Sequence, residues 1–207
     1  MSEPSLAERA AHRAVDARVR SSEQDVRRLL DAGLALMTAG GTETPPRVTD
    51  IIRAAGLSNQ AFYRYFASKD DLVAAVIDDG ERRLVAYVQR QLDTAAPADA
   101  VQVFVTAVTS QAADADVAAA TRAVLWNATR TPGGSALRSR QLHERLATVL
   151  LEPLRRLGSA DAERDAAVVA GAVTSFMLDH LWRLTTPSPD DLGHLVAFCR
   201  AGISGGR

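Results

Sequence analysis

Four histidines, one cysteine and 25 acidic side chains are the groups from which an active site could be assembled, and their spacing argues against one. His12, His143, His180 and His194 show no paired metal-ligand spacing, and no glycine loop that could cradle a phosphate is present. Asp179 and His180 are adjacent, but neighbours on a helix point about 100° apart and do not form a dyad by themselves. The run Gly171-Ala172-Val173-Thr174-Ser175 lacks the glycine that follows the serine of a nucleophile elbow. His180, on a long apolar helix, reads as a packed or pocket-lining residue. Cys199, within Leu195-Val196-Ala197-Phe198-Cys199, is the single cysteine. It excludes an intramolecular disulfide and a multi-cysteine metal site, and reads as buried core or interface before it reads as a redox switch. No catalytic residue, metal or cofactor is expected.

Residues 47–72, RVTDIIRAAGLSNQAFYRYFASKDDL, carry a different chemistry. Asn59 and Gln60 bear amides that can pair with adenine edges, and Ala61 is small enough to approach a thymine methyl. Phe62 and Phe66, four apart, should face a core. Tyr63 and Tyr65 then project elsewhere, with hydroxyls able to donate to phosphate oxygens, as Arg64 and Lys69 can. Lys69 opens the following helix, where free amides and the dipole already attract an anion. The whole chain has 24 basic and 25 acidic residues, a balance of -1 that argues against nucleic acid. Locally the sign reverses: between Thr44 and Lys69 stand Arg47, Arg53, Arg64 and Lys69 against Asp50 alone, leaving +3.

These side chains need helices to hold them. From Val26 to Met37 apolar residues recur in steps of three and four, Val26, Leu29, Leu30, Leu34 and Met37, with Gly33 on the same stripe. Ser21 followed by Gln24 matches a capping box and predicts a helix start there. Gly40-Gly41 predicts its end. Thr44-Pro45-Pro46 should open a short second helix, with Val48, Ile51, Ile52 and Ala55 as its buried stripe, Gly56 ending it and Ser58 capping a third. Two short helices meeting at a glycine turn are the geometry of a helix-turn-helix. Ser68 should cap a long helix reaching about Asp93, with Asp70 and Asp71 favoured near its N-terminus. Breaks at Ala95-Ala96-Pro97, near Asp114, at Thr131-Pro132-Gly133-Gly134, at Gly158-Ser159 and at Thr186-Pro187-Ser188-Pro189 divide the remainder into five more. An arm at residues 1–20, with Arg9, Arg13, Arg18 and Arg20, reads as an unstructured tail or an extra helix over residues 6–18; its arginines could also reach a DNA backbone or minor groove. Alanine is the commonest residue, and all but one of the 24 basic residues are arginine, a strongly helical composition. No strand pattern, internal repeat, membrane-length apolar run or signal-peptide core is present. The expectation is an all-α protein of about nine helices, soluble and cytoplasmic.

The glycine turn Ala54-Ala55-Gly56, the run Phe62-Tyr63-Arg64-Tyr65-Phe66 and the sequel Ser68-Lys69-Asp70-Asp71-Leu72 resemble the N-terminal domain of TetR-family (tetracycline-repressor-like) regulators. The resemblance covers residues 26–72 and implies a three-helix DNA-binding domain over residues 21–68. It further implies a larger ligand-sensing and dimerisation domain over residues 69–207. A homodimer would place two recognition helices on a palindromic operator, and a small effector would move the helix that follows Lys69. Carried over by residue, the family's phosphate contacts fall on Thr49, Tyr63, Tyr65 and Lys69 and its base contacts on Ser58, Asn59, Gln60 and Ala61. Many members have threonine or serine where this chain has Pro46-Arg47, which shifts that phosphate contact to Arg47 or to backbone amides.

For the effector, the few aromatic or polar residues on aliphatic helices are the candidates: Phe104, Trp126, Asn127, Arg130, His143, Phe176, Met177 and His180. They suggest a largely hydrophobic molecule with an acceptor or anionic group facing Arg130. For the dimer, the last two long segments have broad apolar faces, with Val169, Val173, Leu181, Trp182, Leu192, Leu195, Val196 and Cys199 placed to build a four-helix bundle with a second copy. Alternatives of a different class are a helical protein-protein adaptor and, on the same fold, a transcriptional activator.

Overall fold

The computed structural model describes residues 6–130 and 134–204, and every regular element among them is helical. In chain order these are α1 (Leu6–Gly40), α2 (Val48–Ala55), α3 (Asn59–Tyr65), α4 (Lys69–Asp93), a single 3₁₀ turn (Pro97–Asp99), α5 (Ala100–Ala113), α6 (Ala115–Thr129), α7 (Gly134–Leu157), α8 (Ala162–Arg183) and α9 (Pro189–Ser204). The expected all-α class, the long α4 and the breaks around residues 95–97, 114, 158 and 186–189 are all present. The break at Thr131-Pro132-Gly133 lies outside the described residues, and α7 begins at Gly134.

Two starts differ from expectation. Ser21 caps nothing, because α1 is one continuous helix from Leu6 and Ser21 and Gln24 sit exposed in its middle. Alanine and arginine, strong helix formers, carry the helix through the capping-box pattern. The arm and the first helix of the head are therefore one element, with Arg18 and Arg20 exposed along it. Met1–Ser5 lie outside the described residues, as do the side chains of Arg9 and Arg13. At α2 the cap is Arg47, three residues after Thr44, and no side chain bonds there; its carbonyl accepts from the N–H groups of Asp50 and Ile51.

The core has two parts. In the head, Leu29, Met37, Ile51, Phe62 and Leu72 are fully buried, and Phe66, Val73, Val76 and Ile77 close around them. Gly33 lets α4 approach α1: a Cβ there would stand 3.2 Å from Leu72 Cδ2 and 3.4 Å from Val76 Cγ2. Ala128 of α6 belongs to this same cluster, so the head packs on the body at the C-terminal end of α6. The second cluster fills the body with side chains of α4 to α9, among them Val88, Val101, Phe104, Leu146, Leu150, Leu154, Val173 and Leu181.

α4 links the two. Its first turns are core of the head and its last turns core of the body. Halfway along, the Asp79 carboxylate receives Arg27 of α1 at 3.0 Å and Arg83 at 2.6 Å, while Asp78 receives Arg145 of α7 at 2.8 Å. Exposed pairs of this kind add little stability.

Candidate nucleic-acid interface

The α2–α3 corner is built by backbone chemistry legible in the residues. Gly56 has φ 63° and ψ 36°, the left-handed conformation that glycine adopts without strain. Its N–H donates to the Arg53 carbonyl and that of Leu57 to the Ile52 carbonyl, which satisfies the end of α2. Ser58 then caps α3, its hydroxyl accepting the Ala61 N–H at 3.1 Å. Phe62, wholly buried, and Phe66 pin α3 to the head core with ring centroids 5.8 Å apart. Ser68 caps α4 in the same way through the Asp71 N–H at 3.1 Å.

On this scaffold the expected DNA-facing residues separate. Arg47, Thr49, Asn59, Gln60, Tyr63 and Arg64 are exposed, Tyr63 by 55%, held by an edge-to-face contact with Phe62. Lys69 is half-buried at the first position of α4. These seven put amides, hydroxyls and cations at the start of α3 and around its edges, the arrangement that suits base edges and flanking phosphates. Ser58 is exposed too, but its oxygen already serves the cap.

Two assignments are corrected. Ala61 is buried at 9% exposure, because it shares the inward face of α3 with Phe62, so it is not presented to a thymine methyl. Tyr65 packs against the head core and its hydroxyl donates to Asp25 of α1 at 3.3 Å, so the expected phosphate donor is a tie between α3 and α1. The local charge is also redistributed. Arg53 is paired with Asp50 at 2.6 Å, whereas Arg47, Arg64 and Lys69 have no carboxylate partner among the described residues.

The effector candidates do not converge. Phe104 and Met177 are buried in the body core, where aliphatic neighbours surround them. Phe176 is half-buried with its ring 4.6 Å from that of His180, and His180 Nδ1 lies 2.8 Å from the Thr185 hydroxyl at the end of α8. Neither the Asp179 nor the His180 contact makes an acid-base pair: Asp179 receives Arg183. The His143 Nε2 on α7 is buried and meets no hydrogen-bond partner among the described residues. Trp126, Asn127 and Arg130 group elsewhere, at the end of α6. There the Arg130 guanidinium lies 4.8 Å from the Trp126 ring centroid, and Asn127 and Arg130 share a cleft with Lys69. Sequence reasoning missed this pairing of residues some sixty positions apart, for which no local signal exists. Among the described residues no group of three His, Cys, Asp or Glu could hold a metal ion.

The dimer candidates are corrected in the same manner. Val169, Val173, Leu181, Leu195 and Cys199 are the inward stripes of α8 and α9 and close the core of the monomer, with Leu192 and Val196 packed against it. Burial pushes the Cys199 thiol up, away from the reactive thiolate. Only Trp182 of that set is exposed, at 48%, and it is joined on the outward faces by Val168 at 62% and Phe198 at 63%. The outward faces of these helices mix such apolar residues with charged or polar ones such as Asp179, Arg183, Asp190 and His194, and periodicity alone could not say which apolar residues the monomer uses.

Comparison with known proteins agrees with this architecture. Residues 29–76, which span the end of α1, the α2–α3 corner and the first turns of α4, match the family model described as bacterial regulatory proteins, tetR family. No curated protein matches the chain. Among solved structures, a transcriptional regulator from Rhodococcus sp. RHA1 is similar over 90% of this chain and 97% of its own, at 22% identity and a TM-score of 0.61. GusR from Salmonella enterica is similar over 87% and 95%, at 15% identity and 0.65. A tetR-family regulatory protein from Rhodococcus RHA1 is similar over 88% and 96%, at 19% identity and 0.56. At these identities the likeness shows the fold, while the matched segment carries the turn, the aromatic run and Lys69. Residues 29–76 thus match the tetR family of bacterial regulatory proteins, and the chain as a whole has the fold of the solved structures it is similar to.

Proposed function

We propose that the protein is a ligand-responsive transcriptional repressor that binds a palindromic operator as a homodimer and is released by a small, largely hydrophobic effector. The observation that carries this reading is the exposed amide pair Asn59 and Gln60 at the N-terminus of α3, flanked by the free cations Arg47, Arg64 and Lys69. Residues up to about 68 would bind DNA and residues 69–207 would sense and dimerise. Supporting the dimer are Val168, Trp182 and Phe198, large apolar side chains left in water on the last two helices; isolated exposed apolar residues are ordinary, whereas several on adjacent helices suit a self-complementary bundle. Supporting a core-bound effector is the buried, unpartnered Nε2 of His143 among aliphatic helices. No described helix is long and apolar enough to cross a membrane, in keeping with a protein that works where the DNA is.

Release would be a shift between populations. α4 is one rigid element from Lys69 to Asp93, so an effector that tilts its body end changes the separation of the two heads. The DNA-bound form needs recognition helices about 34–36 Å apart. The effector must bind the other separation more tightly, because equal affinity for both shifts nothing. The test is genome-wide mapping of bound DNA for the wild type and a Gln60→Ala variant. The repressor reading expects discrete sites whose neighbouring genes rise on deletion of the protein, and an altered base preference in the variant. Genes that fall on deletion would mark an activator, and an absence of discrete sites would mark an adaptor.

A further inference from the structure

Where the head meets the body, Pro45, Lys69, Asp70, Val73, Asn127 and Arg130 line a cleft of about 330 Å³. We propose that this cleft binds a small protonated oxyanion, inorganic phosphate, and that its occupant competes with DNA for Lys69. Asn127 is only 3% exposed. A carboxamide has two donors and two acceptor lone pairs, and among the described residues the only bond it makes is from Nδ2 to the Ala123 carbonyl at 2.9 Å. The side chain lines the cleft beside Lys69 and Arg130, and Nδ2 carries a second N–H that an occupant could take.

The charges around it are arranged for an anion. Lys69 and Arg130 enter from opposite elements, the first residue of α4 and the C-cap of α6, and neither has a carboxylate partner among the described residues. Arg130 is stacked on Trp126 at 4.8 Å, which holds the guanidinium flat. The first N–H groups of α4 lie at the positive end of its dipole, with the Ser68 hydroxyl accepting that of Asp71 and the Ser68 carbonyl that of Leu72. Asp70, on the same wall, sets the selectivity. Its carboxylate repels a bare anion and accepts from one that keeps an O–H. Hydrogen phosphate can donate to Asp70 while accepting from Lys69 and Arg130; sulfate and the phosphodiesters of DNA have no proton to give. At about 330 Å³ the cleft is at the small end of ligand sites.

The site can be tested on the free protein. In ¹⁵N-labelled protein at constant ionic strength and pH 7, inorganic phosphate should give saturable shifts at Asp70 and in the Asn127 side-chain amide, with sulfate weaker and chloride inert. Arg130→Gln, at an exposed position, should weaken phosphate about tenfold through loss of a charge-assisted bond. Asp70→Asn should bring phosphate and sulfate level. Shifts that grow linearly with phosphate as they do with chloride, or an Arg130→Gln protein that titrates like the wild type, would overturn the site. The competition rests on the proposed phosphate role of Lys69, and it is read separately. Replacing chloride by phosphate at matched ionic strength should weaken DNA binding in the wild type and leave the Arg130→Gln ratio near one. Phosphate that binds without changing DNA affinity refutes the competition alone, and a protein that binds no DNA in either buffer refutes the regulator reading while the free-protein titration still decides the site.

Discussion

The surface of the head makes a quantitative distinction between two cations, Arg53 and Lys69, sixteen positions apart in the chain. Arg53 is neutralised by Asp50 at 2.6 Å, whereas Lys69 has no carboxylate partner among the described residues and stands at the N-terminus of α4. Each phosphate neutralised on duplex DNA contributes about 0.9 to the slope of log K against log salt. In a dimer Lys69 acts twice, so Lys69→Gln should reduce the slope by about 1.8. Between 50 and 200 mM salt that difference amounts to roughly a twelvefold smaller loss of affinity. Arg53→Gln removes the same formal charge but no free cation, and should leave the slope within error of the wild type. The assay is fluorescence anisotropy on one operator duplex and one unrelated duplex across that salt range. Lys69→Gln should weaken both duplexes together. An unchanged slope in Lys69→Gln, or an equal loss in Arg53→Gln, would refute the assignment of phosphate contacts from exposure and pairing.

Gly56→Ala should destabilise the head by about 1–2 kcal/mol in chemical denaturation, from the left-handed backbone alone, because a Cβ there meets nothing within 4 Å; Gly56→Asn should lose less, and an unaffected alanine variant would show that the turn relaxes. Tyr65→Phe should reduce stability by at most about 1 kcal/mol and leave the salt slope alone, since its hydroxyl serves Asp25, while Tyr63→Phe should weaken DNA binding without loss of stability; the reverse pattern would exchange their roles. Trp182→Glu and Phe198→Glu should shift the sedimenting species from dimer to monomer at micromolar concentration without unfolding it, and an unchanged dimer would place the interface elsewhere. The Ser188 hydroxyl and N–H hold the Asp191 carboxyl below the ordinary 3.8, so this cap of α9 is fully present above that pH and is lost as pH falls through the lowered folded value. Ser188→Ala should remove that part of the acid dependence of stability, and an identical acid profile would show that the cap contributes nothing.

What could be read from the sequence was local. Gly56, Ser58 and Ser68 act at the turn and caps where their types demand, since each needs only the backbone of its next three residues. The same locality misled at Ser21, where a capping-box pattern lies inside a helix whose alanines and arginines leave no reason to stop. Residue kind placed Asn59, Gln60 and Tyr63 on the surface, but Ala61 and Tyr65 depend on how α3 is rotated against α1, a tertiary fact. The dimer set failed for a related reason. α8 and α9 carry apolar residues beyond their inward stripes, and the stripe with the larger aliphatic run, Val169, Val173 and Leu181, is the one that the monomer consumes. Asn127 and Arg130 were recognisable as polar residues in aliphatic surroundings, yet their neighbour Lys69 comes from about sixty positions earlier in the chain.

The most direct test of the central claim is selection of the full-length protein against random duplex DNA. The account predicts enrichment of an inverted repeat whose half-site centres lie about one helical turn apart or a multiple of it, lost from the Gln60→Ala pool or changed in its base identities. Recovery of no preferred sequence, or of the same sequence with Gln60 replaced and α3 intact, would contradict recognition by the N-terminus of α3.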